Sequence, residues 1–305
     1  MTLAFRGQLK LGTRSSALAL WQTDHVSERL RELSPGLDTR AMPLSTLGDR
    51  KADAVLADLG GSAFSSEIDQ ALTERRIRVA VHSLKDLPIA DNPGIITAAI
   101  LSREDPRDAL VSAREGGLAA LPSGARVGTS SPRRAAQLRA ARGDLIVEPV
   151  RGNVETRISK AVEGPLDAVV LAVAGLKRLG LTEHVRELLP LEDFLPAPGQ
   201  GALAVQCRQD DEEARALLEL IDDPAVRAEV DAERAFLAGL GGGCSLPVGA
   251  LARHVEGGRL ELRGFVGALN GDETLSVSAT GVDPVELGRS LAEEALGLGA
   301  RDLLA

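Results

Sequence analysis

The chain contains 305 residues, of which 44% are hydrophobic and 26% are charged, a composition typical of a globular protein with two or three domains. The net charge is −9 and only 2% of the residues are aromatic, so we expect no nucleic acid partner. No apolar run approaches the length of a membrane span and no secretory core follows the first residues, so we expect a cytoplasmic protein without a membrane partner.

The N-terminal region predicts a strand that leads into a helix. Residues 8–11 have the pattern of a strand, residues 12–14 have that of a turn, and an amphipathic helix is predicted to begin at Ser15. Arg14 is therefore expected at the point where the strand gives way to the helix.

A second predicted strand, residues 77–82, leads into a polar segment at residues 83–86. Asp86 is the one carboxylate of this segment, and a carboxylate there could hold a ring N–H or a developing positive charge. Lys85 and Asp86 could equally form an ordinary exposed pair in a turn. We interpret His82 as a satisfied residue at the end of the strand rather than a general base.

The pattern of strand, turn and helix recurs at residues 125–134. Ser131 is predicted to cap the helix and Pro132 to be its first residue, which places Arg133 and Arg134 in the first turn. The first turn carries the positive end of the helix dipole. Two arginines there are disfavoured unless an anion shares the site.

Two further junctions add to the positive charge. Strand-like residues 145–150 lead to Asn153, a predicted cap, with Arg157 one turn inside the helix, and residues 168–173 lead to Arg178. Residues 126–178 contain ten basic and five acidic side chains, and such a one-sided cluster favours an anionic ligand. The hydroxyl groups of residues 129–131 either cap a helix alone or also bind carboxylates.

Strands that alternate with helices predict parallel sheets, whose ligands bind beyond the carboxyl ends of the strands. Gly12-Thr13 and Gly128-Thr129 form a weak internal repeat, which predicts two similar lobes with a cleft between them. Residues 202–207 are predicted to return to the first lobe. We expect a first lobe at 1–101 and 202–224, a second at 102–201, and a small α+β domain at 225–305.

The last predicted domain contains a helix after Pro224, a hairpin around Asn270-Gly271 and a final helix from Val282. Between the first helix and the hairpin, three glycines precede Cys244. Such a run indicates an unusual turn or the close approach of a large group. The thiol is then either an attachment point or a buried cysteine beside a glycine-rich joint between domains.

The cysteines and histidines fit neither a disulfide framework nor a metal site. The other cysteine, Cys207, lies in an apolar strand and is predicted to be a core residue. The four histidines are scattered and match no metal-ligand spacing, so we expect no metal.

Several short segments, taken in order, resemble the porphobilinogen deaminase family, also called the hydroxymethylbilane synthases. The resemblance extends over nearly the whole chain. Its segments are TRSSALALWQ (13–22), VHSLKD (81–86), REDPRD (103–108), VGTSS (127–131), RGN (151–153), LAVAGLKRLG (171–180), PGQG (198–201) and GGC (242–244).

The resemblance implies an α/β fold with two similar periplasmic-binding-protein-like lobes, mainly parallel mixed sheets and a small α+β C-terminal domain. It implies a monomeric transferase of tetrapyrrole (haem) biosynthesis that condenses four porphobilinogen molecules head to tail with loss of ammonia. Hydrolysis then releases hydroxymethylbilane. The family builds this product on one covalent dipyrromethane cofactor per chain, made from two substrate units and held by a thioether to the cysteine that matches Cys244.

The resemblance also implies roles for individual residues. Asp86 is the expected catalytic residue, because it contacts pyrrole N–H groups and stabilises positive charge as ammonia leaves. Each pyrrole carries an acetate and a propionate, so the product is a ladder of carboxylates for arginine. The residues implied in cofactor binding are Cys244, Lys85, Asp86, Thr129, Ser130, Ser131, Arg133, Arg134, Arg151 and Gly152. Those implied in substrate binding are Arg14, Ser16, Phe64, Arg157, Arg178 and Gln200.

One segment departs from the family pattern. Members commonly carry a lysine in a Gly-Gly-Lys-Gly-x-Phe loop, whereas this chain has Ser62 at that position and retains Phe64. The family's loop is a mobile cover near the cleft, so the missing cation puts its charge-dependent behaviour in doubt in this chain. The core chemistry is expected to survive.

Two other classes of protein fit part of the pattern. A solute-binding protein would also use two α/β lobes and a cationic cleft, but the missing export signal, the third domain and the Cys244 loop weigh against it. A cysteine hydrolase needs a histidine held by a third group, and no feature of the sequence nominates one.

Overall fold

The computed structural model describes residues 8–46, 65–90, 92–243 and 246–304. The chain divides into two compact units. The first consists of Met1–Glu104 and Ala202–Arg227, and the second of Asp105–Gly201 and Ala228–Ala305. The predicted division into three domains, with limits at 101, 201 and 224, stays a prediction.

The first unit is built on a five-stranded mixed sheet. In spatial order its strands are β2 (Asp38–Leu44), β1 (Gln8–Arg14), β3 (Val79–Ser83), β10 (Leu203–Arg208) and β4 (Ile95–Ile100). Strand β1 pairs in parallel with both β2 and β3, whereas β10 is antiparallel to β3 and β4. The segment predicted to return to the first lobe therefore forms the strand between β3 and β4.

Helices cover this sheet and complete its core. They are α1 (Ala17–Leu33), α2 (Ser66–Thr73) and α6 (Glu212–Leu218). The apolar side chains of β1 alternate with exposed ones at its start, so Leu9 and Leu11 are fully buried and pack with Val26 and Leu30 of α1. This packing anchors the carboxyl end of β1, where Arg14 lies.

The second unit contains a sheet with the same strand arrangement. In spatial order its strands are β7 (Ile146–Glu148), β6 (Arg126–Gly128), β8 (Ala168–Ala172), β5 (Asp108–Val111) and β9 (Val185–Leu188). Strand β6 is parallel to β7 and β8, and β5 is antiparallel to β8 and β9. Strands β1 and β6 hold equivalent positions, so the repeated Gly-Thr junctions mark equivalent strand ends. The predicted mixed, mainly parallel α/β architecture is confirmed.

Three helices follow strands of this second sheet. They are α3 (Pro132–Ala141) after β6, α4 (Val154–Val162) after β7 and α5 (Val173–Leu179) after β8. The predicted caps are confirmed, because the Ser131 side chain accepts a hydrogen bond from the Arg134 N–H and the Asn153 side chain accepts one from the Thr156 N–H.

A third, antiparallel sheet forms the small C-terminal α+β part. Its strands, in spatial order, are β11 (Val248–Val255), β12 (Arg259–Gly267) and β13 (Thr274–Gly281). The helices here are α7 (Pro224–Gly239), α8 (Pro284–Gly297) and the short α9 (Ala300–Leu303). Phe236 of α7 packs so closely on β12 that a Cβ at Gly264 would lie 2.4 Å from the Phe236 Cζ. Glycine is therefore required at that contact.

The predicted hairpin is confirmed, because β12 and β13 pair around the Asn270-Gly271 turn and Gly271 has a φ of +81°. In the described part of the chain, no helix combines the length and the apolar character needed to cross a membrane.

Candidate functional site

A polar pocket lies at the carboxyl ends of β1 and β3 in the first unit. Its polar lining residues are Arg14, Ser16, Gln22, His82, Ser83 and Asp86. Strands β1 and β3 are parallel neighbours, so both end at the same edge of the sheet. The side chains that the sequence places after two separate strands therefore meet in one pocket.

The helix α1 closes one side of this pocket. Ser16 caps it, because the Ser16 Oγ accepts a hydrogen bond of 3.3 Å from the Ala19 N–H. One turn further along, the buried Gln22 donates a hydrogen bond of 2.9 Å from its Nε2 to the Ser83 Oγ. Gln22 thus ties α1 to the end of β3. Sequence reasoning missed this contact, although Gln22 belongs to a segment that carries the family resemblance.

Asp86 ends a single helical turn that is anchored at both ends. The turn covers Leu84–Asp86, and the Leu84 side chain is buried. The Leu84 N–H donates to the Ala202 carbonyl at 3.1 Å, and the Leu87 N–H closes the turn on the Leu84 carbonyl. Asp86 is half-buried and lines the pocket, whereas Lys85 is half-buried on the same turn but is not among the described lining residues. The pocket interpretation of Asp86 is thereby favoured over that of an exposed turn pair.

His82 presents a buried, neutral imidazole to the pocket. It is 7% exposed, and its Nε2 has no hydrogen-bond partner among the described residues. Burial, with a smaller effect of the Arg14 charge, lowers the pKa of His82 to about 4. The prediction of a strand-end residue is confirmed, but the prediction that this residue is satisfied is wrong for Nε2 within the described part of the chain.

In the second unit, Arg133 and Arg134 pair with a buried carboxylate at the start of β5. The Arg133 Nη1 lies 2.8 Å from Asp108 Oδ2, and the Arg134 Nη2 lies 2.6 Å from Asp108 Oδ1. Both arginines are nearly fully buried and Asp108 is fully buried. The anion that the sequence requires beside this helix start is therefore supplied by the protein. Direct contact of either arginine with a cofactor stays a prediction.

The Asp108 cluster, formed by Asp108, Arg133, Arg134 and Gln200, is ionised and carries a net positive charge. Burial favours a higher pKa for Asp108, but the charges and hydrogen bonds of the two arginines prevail and hold it well below its usual range. Two guanidinium groups and one carboxylate leave a positive balance. The Nε atoms of both arginines are buried without a hydrogen-bond partner among the described residues.

Gln200 is part of this cluster rather than of an open surface. Its side chain is fully buried, and its Nε2 donates to Asp108 Oδ1 at 2.8 Å and to the Pro106 carbonyl at 2.7 Å. Arg178, predicted like Gln200 to bind substrate, donates from Nη2 to the Gly201 carbonyl at 2.7 Å. Contact of Gln200 or Arg178 with a substrate stays a prediction.

The hydroxyl groups before α3 shape the loop that holds them. The Ser130 Oγ donates to the Val150 carbonyl at 2.7 Å, and the Ser131 N–H donates to the Thr129 Oγ1 at 3.1 Å. With Ser131 capping α3, these contacts support the capping interpretation. They leave the binding of carboxylates by Thr129, Ser130 and Ser131 as a prediction.

Glycine is required before α4. Gly152 has a φ of +113°, and a Cβ there would lie 2.7 Å from the Thr156 Cγ2. The Arg157 Nε donates to the Gly152 carbonyl at 2.9 Å, which holds the guanidinium of Arg157 over the start of its own helix. Arg151 is half-buried on the same loop. The structure therefore brings Arg151, Gly152 and Arg157 together.

The glycine run before Cys244 has the unusual backbone that its sequence predicts. Gly241, Gly242 and Gly243 have φ angles of +99°, +59° and +143°. Cys244 and Phe64, together with Ser62, lie outside the described residues. Cys207 is fully buried, and burial raises the pKa of its thiol to about 11, which confirms it as a core residue.

Comparisons with known proteins cover both units. The family model described as "Porphobilinogen deaminase, dipyromethane cofactor binding domain" matches residues 9–216, and "Porphobilinogen deaminase, C-terminal domain" matches residues 227–297. The chain is 51% identical over 299 residues to a porphobilinogen deaminase of Roseiflexus sp. (strain RS-1), with 97% of this chain and 98% of the relative covered. It is 46% identical over 300 residues to a porphobilinogen deaminase of Brevibacillus brevis (strain 47), with 98% and 97% covered.

Among solved structures, the chain is similar to the periplasmic VFT2 domain of Bordetella pertussis BvgS. The two are 13% identical, the match covers 70% of this chain and 85% of that one, and the TM-score is 0.40.

Proposed function

This chain belongs to the porphobilinogen deaminase family, and we propose that its residues carry out that family's transferase reaction, the head-to-tail condensation of four porphobilinogen molecules with loss of ammonia and hydrolytic release of hydroxymethylbilane. The family's cofactor is dipyrromethane. The observation that carries the assignment of residues is the pocket of the first unit, where Arg14 and Asp86 lie on one lining. A pyrrole acid presents carboxylates and a ring N–H. The Arg14 cation matches the carboxylates, and the Asp86 carboxylate matches the N–H.

Each unit has side chains that match one part of a dipyrromethane. Pyrrole N–H groups need an acceptor, and Asp86 provides a carboxylate in the pocket of the first unit. Acetate and propionate groups need cations, and the Asp108 cluster of the second unit has a positive balance that one carboxylate of a ligand would neutralise. When bound, dipyrromethane supplies the pyrrole carbon to which porphobilinogen is joined.

Asp86 is proposed as the catalytic residue. Its carboxylate would accept hydrogen bonds from pyrrole N–H groups and would stabilise the positive charge that develops as ammonia leaves. Its anchored turn fixes the carboxylate before the reaction, so little reorganisation accompanies the charge development. Partial burial strengthens that interaction relative to one in water.

His82 would contribute as a neutral group. With a pKa of about 4 it carries no charge near neutral pH, so it adds no positive charge beside the developing cation. We propose that its role is to line the pocket and not to remove a proton.

The remaining roles follow the family resemblance. For the cofactor we propose covalent attachment at Cys244 and contacts from Lys85, Asp86, Thr129, Ser130, Ser131, Arg133, Arg134, Arg151 and Gly152. For the substrate we propose contacts from Arg14, Ser16, Phe64, Arg157, Arg178 and Gln200. Arg14 is supported by its place in the pocket, and Arg157 by its hydrogen bond to Gly152, which lies beside Arg151 on the loop before α4.

We further propose that the chain acts as a cytoplasmic monomer and that its lobes are residues 1–101 with 202–224 and residues 102–201, with the cofactor domain at 225–305. The resemblance supports the oligomeric state, and analytical ultracentrifugation of the purified protein would test it. A sedimenting species of twice the chain mass would contradict it.

The first experiment is the intact mass of the purified protein under denaturing conditions, followed by peptide mapping around Cys244. We expect an added mass of two condensed pyrrole units on that peptide and further increments after porphobilinogen is added. Cys244→Ser should lack the added mass, whereas Cys207→Ala should retain it. An unmodified Cys244 after incubation with porphobilinogen would overturn the proposed function.

A further inference from the structure

A second buried carboxylate, Glu233, lies in α7 of the second unit. Glu233 is fully buried, and both of its oxygens accept backbone hydrogen bonds. Its Oε2 accepts from the Gly199 N–H at 2.7 Å, and its Oε1 accepts from the Ala252 N–H at 2.9 Å. One side chain thus joins three separate segments: α7, the loop before β10, and β11.

Two of these segments flank Cys244 in the sequence. Helix α7 ends at Gly239, before Cys244, and strand β11 begins at Val248, after it. Strand β11 is an edge strand of its sheet, so within the described residues one row of its backbone groups has no strand partner. Glu233 satisfies the Ala252 N–H on that edge. It therefore holds the chain on both sides of the proposed attachment point.

The third segment is residues 195–200, here called the linking loop, and its other contacts lead to the Asp108 cluster. The Leu195 carbonyl accepts from the Arg133 Nη1 at 2.6 Å, and the Gln200 Nε2 donates to Asp108 at 2.8 Å. Within the linking loop, Gly199 donates to Glu233. The linking loop is thus bonded on one side to the Asp108 cluster and on the other to Glu233.

Strand β11 also approaches the linking loop and Arg133 directly. The Ala250 N–H donates to the Pro196 carbonyl at 3.0 Å. A Cβ at Gly249 would lie 2.9 Å from the Leu195 carbonyl oxygen and 3.3 Å from the Arg133 Cδ. This close approach leaves no room for a side chain, so the position of β11 relative to Arg133 is tightly defined.

We propose that Glu233 is a positioning residue for cofactor attachment, which fixes the chain on both sides of Cys244 against the linking loop that holds Arg133 and Asp108. The inference rests on the proposed function. In the attachment, the Cys244 sulfur forms a bond to the aminomethyl carbon of porphobilinogen and the carbon–nitrogen bond breaks. The thiol proton leaves with the amine as ammonia. Glu233 thereby secures the placement of α7 and β11, which precede and follow Cys244 in the sequence, relative to Arg133.

Replacement of the Glu233 carboxylate by an amide tests this proposal. Glu233→Gln keeps the shape of the side chain but replaces one of two acceptors by an NH₂ donor, so one backbone N–H loses its partner. We expect α7, β11 and the linking loop to shift slightly relative to one another. Displacements of about 1 Å reduce rates by about 100-fold in positioned reactions.

The experiment starts from cofactor-free protein made in cells that cannot form porphobilinogen. Porphobilinogen is added at saturation, and the rate of mass gain at Cys244 is measured well below the unfolding temperature of each variant. In parallel, the rate of alkylation of Cys244 by iodoacetamide reports the availability of the thiol. We expect Glu233→Gln to gain mass about 10-fold to 100-fold more slowly with an unchanged alkylation rate. The control is Glu293→Gln, an exposed glutamate of α8, which should match the wild type in both rates.

Gly249→Ala provides a second variant with different chemistry, because the added methyl would force β11 away from the linking loop. Like Glu233→Gln, it should gain mass at Cys244 more slowly than the wild type with an unchanged rate of alkylation. It serves as the test if Glu233→Gln does not fold. Attachment at the wild-type rate in a folded variant, or an equal decline of attachment and alkylation, would overturn the role of Glu233. Failure of the wild type to gain mass would instead overturn the proposed function.

Discussion

Asp86 and Asp108 are carboxylates in chemically different surroundings. Asp108 is fully buried and its two oxygens accept from two guanidinium groups and the Gln200 amide. Its role is therefore structural. Asp86 is half-buried at the end of an anchored turn and lines a pocket. We therefore propose Asp86, and not Asp108, as the acceptor for a ligand N–H.

Asp86→Asn should abolish most of the turnover while the cofactor stays attached. The amide keeps the size of the side chain but carries no negative charge for the developing cation. We expect the rate of hydroxymethylbilane formation to decline by about 100-fold or more, measured together with the intact mass. Asp24→Asn, an exposed change on α1, should leave both quantities unchanged. Near-normal turnover of Asp86→Asn with its cofactor present would show that Asp86 is not the catalytic residue.

His82 should make the first unit sensitive to acid. Its pKa is lowered from 6.5 to about 4 in the folded chain, so below pH 6.5 the unfolded chain takes up a proton that the folded chain does not. Stability conferred by the neutral imidazole is present above pH 6.5 and is lost as the pH decreases towards 4. Between pH 6.5 and pH 5 the wild type should lose about 2 kcal/mol of unfolding free energy more than His82→Gln. Urea titrations of both proteins at the two pH values measure the difference, and parallel pH profiles would contradict the assignment.

The start of α3 depends on an anion from a neighbouring strand. Two arginines in a first turn oppose the helix dipole, and Asp108 of β5 offsets them. Ser131 and Pro132 complete the start by capping the helix and by fixing its first residue. We therefore expect α3 to be stable only when β5 is in place.

Asp108→Asn should destabilise the protein strongly. It leaves two buried guanidinium groups without a counter-charge, a change that costs about 3–5 kcal/mol when a buried pair is broken. Chemical unfolding followed by circular dichroism measures the loss. Asp144→Asn removes an exposed carboxylate that pairs with Arg142 and should change the stability little. Equal stabilities of the two variants would contradict the structural role of Asp108.

Local signals made the helix starts predictable, because a cap and its partner lie within one turn. Ser131, Pro132 and Asn153 hold the places that their residue types predict. Asp108 and Gln200 were not predictable as partners of the arginines, because they come from other segments of the chain and no periodicity links them. The sequence called for an anion but could not distinguish a ligand from the protein's own carboxylate.

At the scale of the whole molecule, two sheets with the same spatial arrangement of strand directions account for the repeated Gly-Thr junctions. Alternation of strands and helices predicted parallel sheets, and the predicted strands β1 and β3 of the first sheet and β6, β7 and β8 of the second do run parallel. The reversed direction of β5 and β10 carries no such signal, because an apolar strand has the same residue pattern in either direction. Those directions become defined only through tertiary pairing.

Loss of the cofactor should lower the stability of the whole protein. A covalent ligand whose carboxylates pair with arginines of the folded chain stabilises that state and not the unfolded one. Cofactor-free wild type should therefore unfold several degrees below the cofactor-loaded protein in a calorimetric scan. Incubation with porphobilinogen should restore the higher midpoint in the wild type but not in Cys244→Ser. Identical midpoints for the two forms would argue against contacts between the cofactor and these arginines.

The return of β10 to the first sheet has a consequence for folding during synthesis. The sheet of the second unit is complete once Leu188 has left the ribosome, whereas the first sheet must wait for Leu203–Arg208. Until then β3 and β4 each present an edge without a partner, and unpaired edges promote association between nascent chains. The first sheet is thus begun before the second sheet and completed after it, and we expect the unpaired edges of β3 and β4 to be the sites where nascent chains associate.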